Sequence, residues 1–338
     1  MRRTDQMQPE ISVIIPTYNA SRIIDTVLKS VFINEDVTKE VLVVDDLSTD
    51  NTVETARKYP CRIITLKEKA GPSHARNIGA QEAQSEILMF MDSDALIEKD
   101  TLKKILETFK KTPTIACVGG VFEKNSKHSS AFGKYRDLQL HYWHQSTAGD
   151  ASVFILTAGA IKRDVFFKVG GFKPEFGKFA DIEDYEIGHR ISEKYCMVTD
   201  NTIRFHHLEH ASPLPVLVKK LFRRARMWIP LFLERRAFEK NYATKNRALA
   251  VICAGLVPVV CCLSFYWPYL LYVAIILLGT FVILDKGFYR FLYREGSLLF
   301  LFFASSIHLF LSIVLFSGAV VGGVEALWKG IRKVTFVS

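Results

Sequence analysis

Asp92 and Asp94 are the residues of this sequence whose types and spacing carry the clearest chemistry. They follow Ile87-Leu88-Met89-Phe90-Met91, an apolar run that reads as a buried strand. Carboxylates at i and i+2 point the same way if the extended backbone runs on through them. A buried strand ending in two acids puts negative charge at the carboxyl edge of a sheet, where open α/β sheets take their ligands. Such a pair can hold a hard divalent cation, which can in turn hold phosphate oxygens. The same residues also suit a polar turn, with an aspartate capping the helix that starts near Asp100-Thr101.

Other residues carry compatible chemistry. Val41-Leu42-Val43-Val44 leads into a second acidic pair, Asp45-Asp46. Arg76 and Asn77 lie in a helix opened by Gly71-Pro72-Ser73-His74-Ala75. A guanidinium pairs with phosphate in a two-pronged way, so Arg76 and Asn77 can reach a diphosphate; a surface ion pair is the alternative for Arg76. Asp181, Glu183 and Asp184 open a segment with Ile187 and Ile191 on one helical side. A carboxylate there can serve as a general base, or it can complement the helix N-terminus, and the two roles are compatible. His206 and His210 have i, i+4 spacing, a weak signal for zinc on its own, and His210 reads as surface.

The elements that must position these groups alternate. Ile11 to Pro16 reads as a first buried strand, and Ser21 as the cap of a helix carrying Ile24, Val27, Leu28 and Val31. Strands at 40–46 and 61–66 enclose a helix at Thr52 to Tyr59. The helix from Gly71 then leads into the Asp92 strand. Alternation of this kind predicts an α/β fold with a mostly parallel sheet and right-handed crossovers. Beyond it, Ile115 to Phe122 and Ser152 to Ala158 read as strands, and residues 123–150 as a lid or acceptor loop with Tyr135, Tyr142 and Trp143. No Gly-x-Gly-x-x-Gly follows the first strand and no Gly-x-x-x-x-Gly-Lys-Ser/Thr is present, which removes the usual support for a dinucleotide-binding fold or a P-loop NTPase.

Several of these segments come in a specific order and spacing: Ser12-Val13-Ile14-Ile15-Pro16-Thr17-Tyr18-Asn19, Val43-Val44-Asp45-Asp46, Gly71 to Gly79, Met91-Asp92-Ser93-Asp94, Gly170-Gly171-Phe172 and Glu183-Asp184. Over roughly residues 10–210 the chain resembles the family 2 glycosyltransferases. That resemblance implies a GT-A fold, a nucleotide-sugar donor, Mg²⁺ or Mn²⁺, and inversion at the anomeric carbon. It implies that Asp92 and Asp94 hold the metal, with Ser93 beside the donor, and that Asp184 is the base, with Glu183 supporting it. It also implies a nucleotide pocket walled by Pro16, Thr17, Tyr18, Asp45 and Asp46. Family members often carry a downstream histidine near the metal, for which His206 and His207 compete here. Processive members carry a Gln-x-x-Arg-Trp motif, whereas Arg223 to Trp228 lacks the Gln and the Arg-Trp pair. This favours a single transfer over a polysaccharide synthase. An inactive membrane scaffold is a further alternative, opposed by the intact Asp92, Asp94 and Asp184.

Charge and hydropathy divide the chain further. Residues 1–210 carry a net −2, residues 211–247 a net +8 and residues 248–338 a net +3, of a total of +9. Because the basic character is confined to one segment outside the catalytic-looking part, no nucleic-acid partner is expected. Residues 211–247 read as a basic amphipathic segment for an anionic membrane surface. Within 248–338, Ala248 to Trp267, Pro268 to Leu284 and Leu298 to Val324 are apolar, giving two to three transmembrane helices. Positive charge before the first stretch puts the catalytic part in the cytoplasm. Asp285 to Gly296 reads as a cytoplasmic loop, whereas three full spans would leave Lys329, Arg332 and Lys333 outside, against the same rule. The acceptor expected for such a chain is a lipid-linked or other membrane-associated molecule. The polar start, Met1 to Glu10, does not read as a signal peptide, and the six cysteines read as reduced thiols.

Overall fold

The computed structural model describes residues 8–124, 130–145, 149–177, 182–208, 213–236, 238 and 243–335. Its contacts divide the chain into two compact units, one comprising Met1–Lys124 with His144–Glu209, the other Asn125–Trp143 with His210–Ser338.

The first unit begins with the expected alternation: β1 (Ile11–Thr17), α1 (Ile24–Phe32), β2 (Lys39–Asp45), α2 (Thr52–Ala56), β3 (Arg62–Thr65), α3 (Pro72–Glu82) and β4 (Ile87–Met91). It continues with β5 (Ala95–Ile97), α4 (Thr101–Lys111) and β6 (Ile115–Phe122). After α5 (Ala131–Gln145), most of which belongs to the second unit, come β7 (Gly149–Asp150), β8 (Ala158–Lys162), α6 (Arg163–Lys168), α7 (Pro174–Gly177), α8 (Glu183–Ser192) and β9 (Cys196–His207). The strands lie in the order β3-β2-β1-β4-β8-β6-β9-β5, with β7 on β9. Pairing is parallel from β3 to β4, as the alternation predicts. Farther along, the sheet is mixed: β8 runs antiparallel to β4 and β6, β9 parallel to β6, and β5 antiparallel to β9.

Strands β1 and β4 are mostly apolar and are buried on both faces. Helix α1 buries Ile24, Val27, Leu28 and Val31, the expected stripe, but it has no side-chain cap. Ser21 instead donates its backbone N–H to Asp50 Oδ2 at 3.1 Å. Helix α3 lies so close to the sheet that a Cβ on Gly79 would sit 2.4 Å from Ile14 Cγ2. The Phe90 ring, at the end of β4, packs at 5.1–6.2 Å between centroids against Phe154, Phe166 and Phe172. This aromatic floor lies below the residues that follow β4.

Two expectations are corrected here. The apolar run at 152–156 is buried but is not a strand, and β8 begins only at Ala158. The chain doubles back on itself at that point, since a Cβ on Gly159 would lie 2.1 Å from the Ile155 carbonyl. Within 123–150, residues 131–145 form helix α5 rather than a loop.

The second unit adds α9 (Leu214–Arg235), α10 (Lys245–Leu263), α11 (Leu270–Leu284), α12 (Lys286–Glu295) and α13 (Leu298–Thr335). Lys245–Leu263 and Leu298–Trp328 are each long and apolar enough to cross a membrane, and α11 with α12 makes a third candidate, bent by 72°. The expected loop at Asp285 to Gly296 is therefore helical, with Phe288 and Leu292 buried. Basic α9 packs along α13, where Cβ atoms on Gly318 and Gly322 would lie 2.3 Å from the Phe222 and Arg226 carbonyls. Arg226 also pairs with Glu325 at 2.6 Å.

Candidate active site

Strand β4 delivers Asp92, Ser93 and Asp94 into a turn closed by Ala95 N–H donating to Asp92 O at 3.1 Å. The extended backbone assumed from the i, i+2 spacing therefore stops at Met91. As a result the two carboxylates meet different partners. Asp92 Oδ1 accepts from Arg76 Nη2 at 2.7 Å, and Asp92 Oδ2 accepts from the Thr157 hydroxyl at 3.3 Å. Asp94 Oδ1 lies 3.3 Å from His207 Nδ1.

Arg76 is nearly inaccessible, with its side chain 3% exposed. Its other arm, Nη1, donates to Glu183 Oε1 at 3.2 Å, and the Glu183 side chain is 4% exposed. Burial opposes the charge on Arg76, but Asp92 and Glu183 outweigh it and hold the guanidinium above its ordinary value. The structure thus places Arg76 as a buried tie between the Asp92 turn and the first residue of α8, and not as an open diphosphate ligand. Glu183 is the residue next to Asp184, which is half-buried in the first turn of α8 with Oδ1 accepting from Tyr185 N–H at 3.0 Å.

Asn77, expected at the diphosphate, has both ends of its amide committed. It donates Nδ2 to the Phe172 carbonyl at 2.7 Å, and its Oδ1 accepts from Phe172 N–H at 2.9 Å. The turn it holds needs glycine: Gly171 has φ +65° and a Cβ there would sit 2.9 Å from Asn77 Oδ1. Asp46 is likewise engaged, accepting from Ala70 N–H at 2.8 Å and Gly71 N–H at 2.9 Å. Asp45 accepts from Ser48 N–H at 3.2 Å. Pro16 and Thr17 are buried within β1, and the Thr17 hydroxyl meets the Val44 carbonyl at 3.4 Å. Tyr18, by contrast, is 43% exposed, with Lys69 Nζ 3.4 Å above its ring centroid.

The two histidines compete for one position, and strand alternation separates them. They are adjacent on β9, so their side chains leave opposite faces. His207 faces Asp94 and packs near Phe122 and Phe205, which leaves His206 directed away from that carboxylate. Asp181 and His210 lie outside the described residues. Two partners were missed in the sequence: Thr157, which carried no motif, and Glu183 as the mate of Arg76, 107 residues away.

Among the described residues, no three His, Cys, Asp or Glu side chains gather closely enough to enclose a metal by themselves. Half-exposed Asp92 and Asp94 with His207 are still a donor set of the kind a hard divalent cation accepts. Asp92 and Glu183 share Arg76 as partner, and Asp94 and Asp184 are each half-exposed.

A sheet of this order, with acids in the turn after β4 and at the head of α8, defines the class: a GT-A-type fold. The solved structure of the mannosyltransferase PcManGT from Pyrobaculum calidifontis, in complex with GDP-Man and Mn²⁺, matches 96% of this chain and 88% of its own, with a TM-score of 0.55 and 21% identity. Residues 12–169 match the model for glycosyl transferase family 2, and the chain carries a family 2 glycosyltransferase domain. That match includes Asp92 and Asp94 and ends before Glu183 and Asp184.

Among curated proteins, the poly(ribitol-phosphate) beta-N-acetylglucosaminyltransferase TarS of Staphylococcus aureus (strain Mu50) is 40% identical over 103 residues, or 28% of this chain and 18% of TarS. The poly-beta-1,6-N-acetyl-D-glucosamine synthase of Staphylococcus epidermidis is 30% identical over 142 residues, or 40% of this chain and 34% of the synthase. The putative teichuronic acid biosynthesis glycosyltransferase TuaG of Bacillus subtilis (strain 168) is 36% identical over 105 residues, or 30% of this chain and 42% of TuaG. The chain spans less than half the length of each of these relatives.

Proposed function

We propose that the protein is an inverting glycosyltransferase that moves a sugar from a UDP- or GDP-sugar to a membrane-associated acceptor in cell-envelope glycan synthesis. The observation that carries this reading is the Arg76 tie, which fixes the acids after β4 and the acids heading α8 in one frame. One group of acids serves the leaving diphosphate and the other serves the acceptor.

Asp94 and Asp92, with His207 beside them, would hold Mg²⁺ or Mn²⁺, with diphosphate oxygens of the donor completing the ligand set. Such a cation supplies charge neutralisation on the leaving group. Exposed Tyr18, near the buried Asp45 and Asp46, offers an aromatic wall for the nucleotide. Asp184 takes the proton of an acceptor hydroxyl as that oxygen forms its bond to the anomeric carbon and the diphosphate departs from the opposite face. The Arg76–Glu183 pair orients the head of α8, and so Asp184, in that step.

The apolar helices support an acceptor among membrane molecules, and the cations of α9 support a cytoplasmic transferase domain. Two acceptor classes fit. For a lipid-linked glycan the nucleophile is a hydroxyl, which needs Asp184. For a polyprenyl phosphate the nucleophile is already ionised, and Asp184 matters less.

The test is nucleoside diphosphate release by the detergent-purified full chain, with either acceptor, for wild type and Asp184→Asn. Release that needs a hydroxyl acceptor and vanishes in Asp184→Asn supports glycan transfer with Asp184 as base. Release that needs the lipid phosphate and survives the substitution assigns the acceptor to that class and removes Asp184 as base. No release with either acceptor overturns the reading.

A further inference from the structure

The second unit contains a chain of buried polar side chains that sugar transfer itself does not use. On α5, Gln139 Nε2 donates to the Tyr135 hydroxyl at 2.7 Å. That hydroxyl lies 3.1 Å from His308 Nδ1 on α13. The other ring nitrogen of His308 lies 3.0 Å from Asp285 Oδ2, at the bend between α11 and α12. Tyr135, Gln139 and His308 are 0%, 2% and 4% exposed. Hydrogen bonds among fully buried groups of this kind fix rotamers. The chain ends at Arg136, whose Nη1 donates to Gln139 Oε1. Gln139 is thereby held at both ends, and it orients the guanidinium.

Arg136 is half-buried, and among the described residues its guanidinium meets no carboxylate. Asp137, the next residue, leaves the helix in a different direction, because i and i+1 do not share a face. Burial lowers the Arg136 guanidinium below its ordinary range, and the nearby Arg224 guanidinium of α9 adds to the effect. A partly desolvated guanidinium such as that of Arg136 is costly unless an anion joins it.

The location narrows the anion. Tyr135 and Leu138 of α5 share one apolar core with Leu217 of α9, Phe288 and Leu292 of α12, and Leu311 of α13. Helix α13 is long and apolar enough to cross a membrane. An anion at Arg136 therefore lies where a hydrocarbon tail has apolar helices to follow. A guanidinium binds phosphate through paired N–H···O bonds, and Arg136 keeps further N–H groups beyond the one given to Gln139.

We propose that Arg136 is the binding residue for the phosphate group of a membrane lipid, presented by the Gln139–Tyr135–His308–Asp285 chain. That this lipid is the carrier of the acceptor rests on the transferase reading above; the binding itself does not.

The test measures equilibrium binding of a radiolabelled polyprenyl monophosphate to the full chain in detergent, beside the corresponding polyprenol. Wild type should bind the phosphate form at least about ten-fold tighter, the size of one charge-assisted pair. Arg136→Gln should remove most of that difference, and Arg136→Lys should keep part of it. Nucleotide-sugar binding, measured on the same samples, should change less than about two-fold in either variant. Equal binding of phosphate and alcohol by wild type overturns the proposal without any variant, should Arg136→Gln fail to fold. Unchanged phosphate selectivity in a folded Arg136→Gln also overturns it. Phosphatidylglycerol competing as well as the polyprenyl phosphate would make the source a bulk headgroup and overturn the acceptor role. Inorganic phosphate competing as well would overturn the lipid assignment. Failure of the transferase reading shows separately, as wild type that binds no nucleotide-sugar while lipid binding stays readable.

Discussion

Arg76→Met removes the cation between Asp92 and Glu183 while keeping an apolar stem in its place. The cost falls unevenly. Glu183 is 4% exposed and Arg76 is its hydrogen-bond partner, so the substitution strands a buried carboxylate. Breaking a buried pair by removing one partner costs about 3–5 kcal/mol. Asp92 is 27% exposed and keeps the Thr157 hydroxyl, so its share is at most about 1 kcal/mol. In a unit of this size each kcal/mol lowers Tm by about 2–4 °C, which predicts a drop of roughly 6–24 °C. Calorimetry of the full chain is the suitable assay. All four tryptophans (Trp143, Trp228, Trp267 and Trp328) lie in the other unit, so their fluorescence does not follow this one. Arg76→Met combined with Glu183→Gln removes the stranded charge and should recover at least about half of the loss. A single variant melting within about 2 °C of wild type would refute the reasoning, as would a double variant no more stable than the single.

Two further outcomes are expected. The Asp50 carboxyl is held down at about 2: burial opposes its ionisation, but hydrogen bonds from Thr52 and Ser21 prevail. Its folded-state pKa is therefore below the unfolded value of about 3.9, so its contribution is present above about pH 4 and is lost as pH falls toward 2. Because solvent screens this carboxylate, Asp50→Asn should thus destabilise by at most about 1 kcal/mol at pH 7, with the difference from wild type shrinking as pH falls through about 2 in parallel melts. Gly79→Ala should cost about 1–3 kcal/mol through overpacking, because its Cβ would lie 2.4 Å from Ile14 Cγ2; an unchanged Tm would show that α3 can shift away from β1.

Local signals were legible in the sequence and non-local ones were not. Apolar runs closed by Pro16, Asp45 and Asp92 mark β1, β2 and β4 because strands covered on both faces have no polar side to confuse the pattern. The order of short motifs pointed to the GT-A fold. What the sequence hid were partners. Arg76 and Asn77 read as ligands because nothing nearby shows that Glu183 and Phe172 meet them across the fold. The i, i+2 spacing of Asp92 and Asp94 implied a shared direction, but the turn at Asp92 sends them to Arg76 and His207 separately. Strand alternation chose His207 over His206 only once β9 was known to reach the site. Residues 152–156 misled because an apolar run shows burial and not backbone geometry, which the close approach of Gly159 to Ile155 decides.

The central claim is that Asp94 with His207, and Asp184 at the head of α8, serve sugar transfer from a nucleotide donor. It is tested most directly by nucleoside diphosphate release from a panel of UDP- and GDP-sugars, using detergent-purified full chain with Mn²⁺ and a lipid-linked glycan or polyprenyl phosphate acceptor. Wild type should release diphosphate from donors of one base, and Asp94→Asn should lower the rate by at least about 100-fold while the protein stays folded by calorimetry. Wild type that binds nucleotide but never releases diphosphate, or a folded Asp94→Asn that works as fast as wild type, would contradict it.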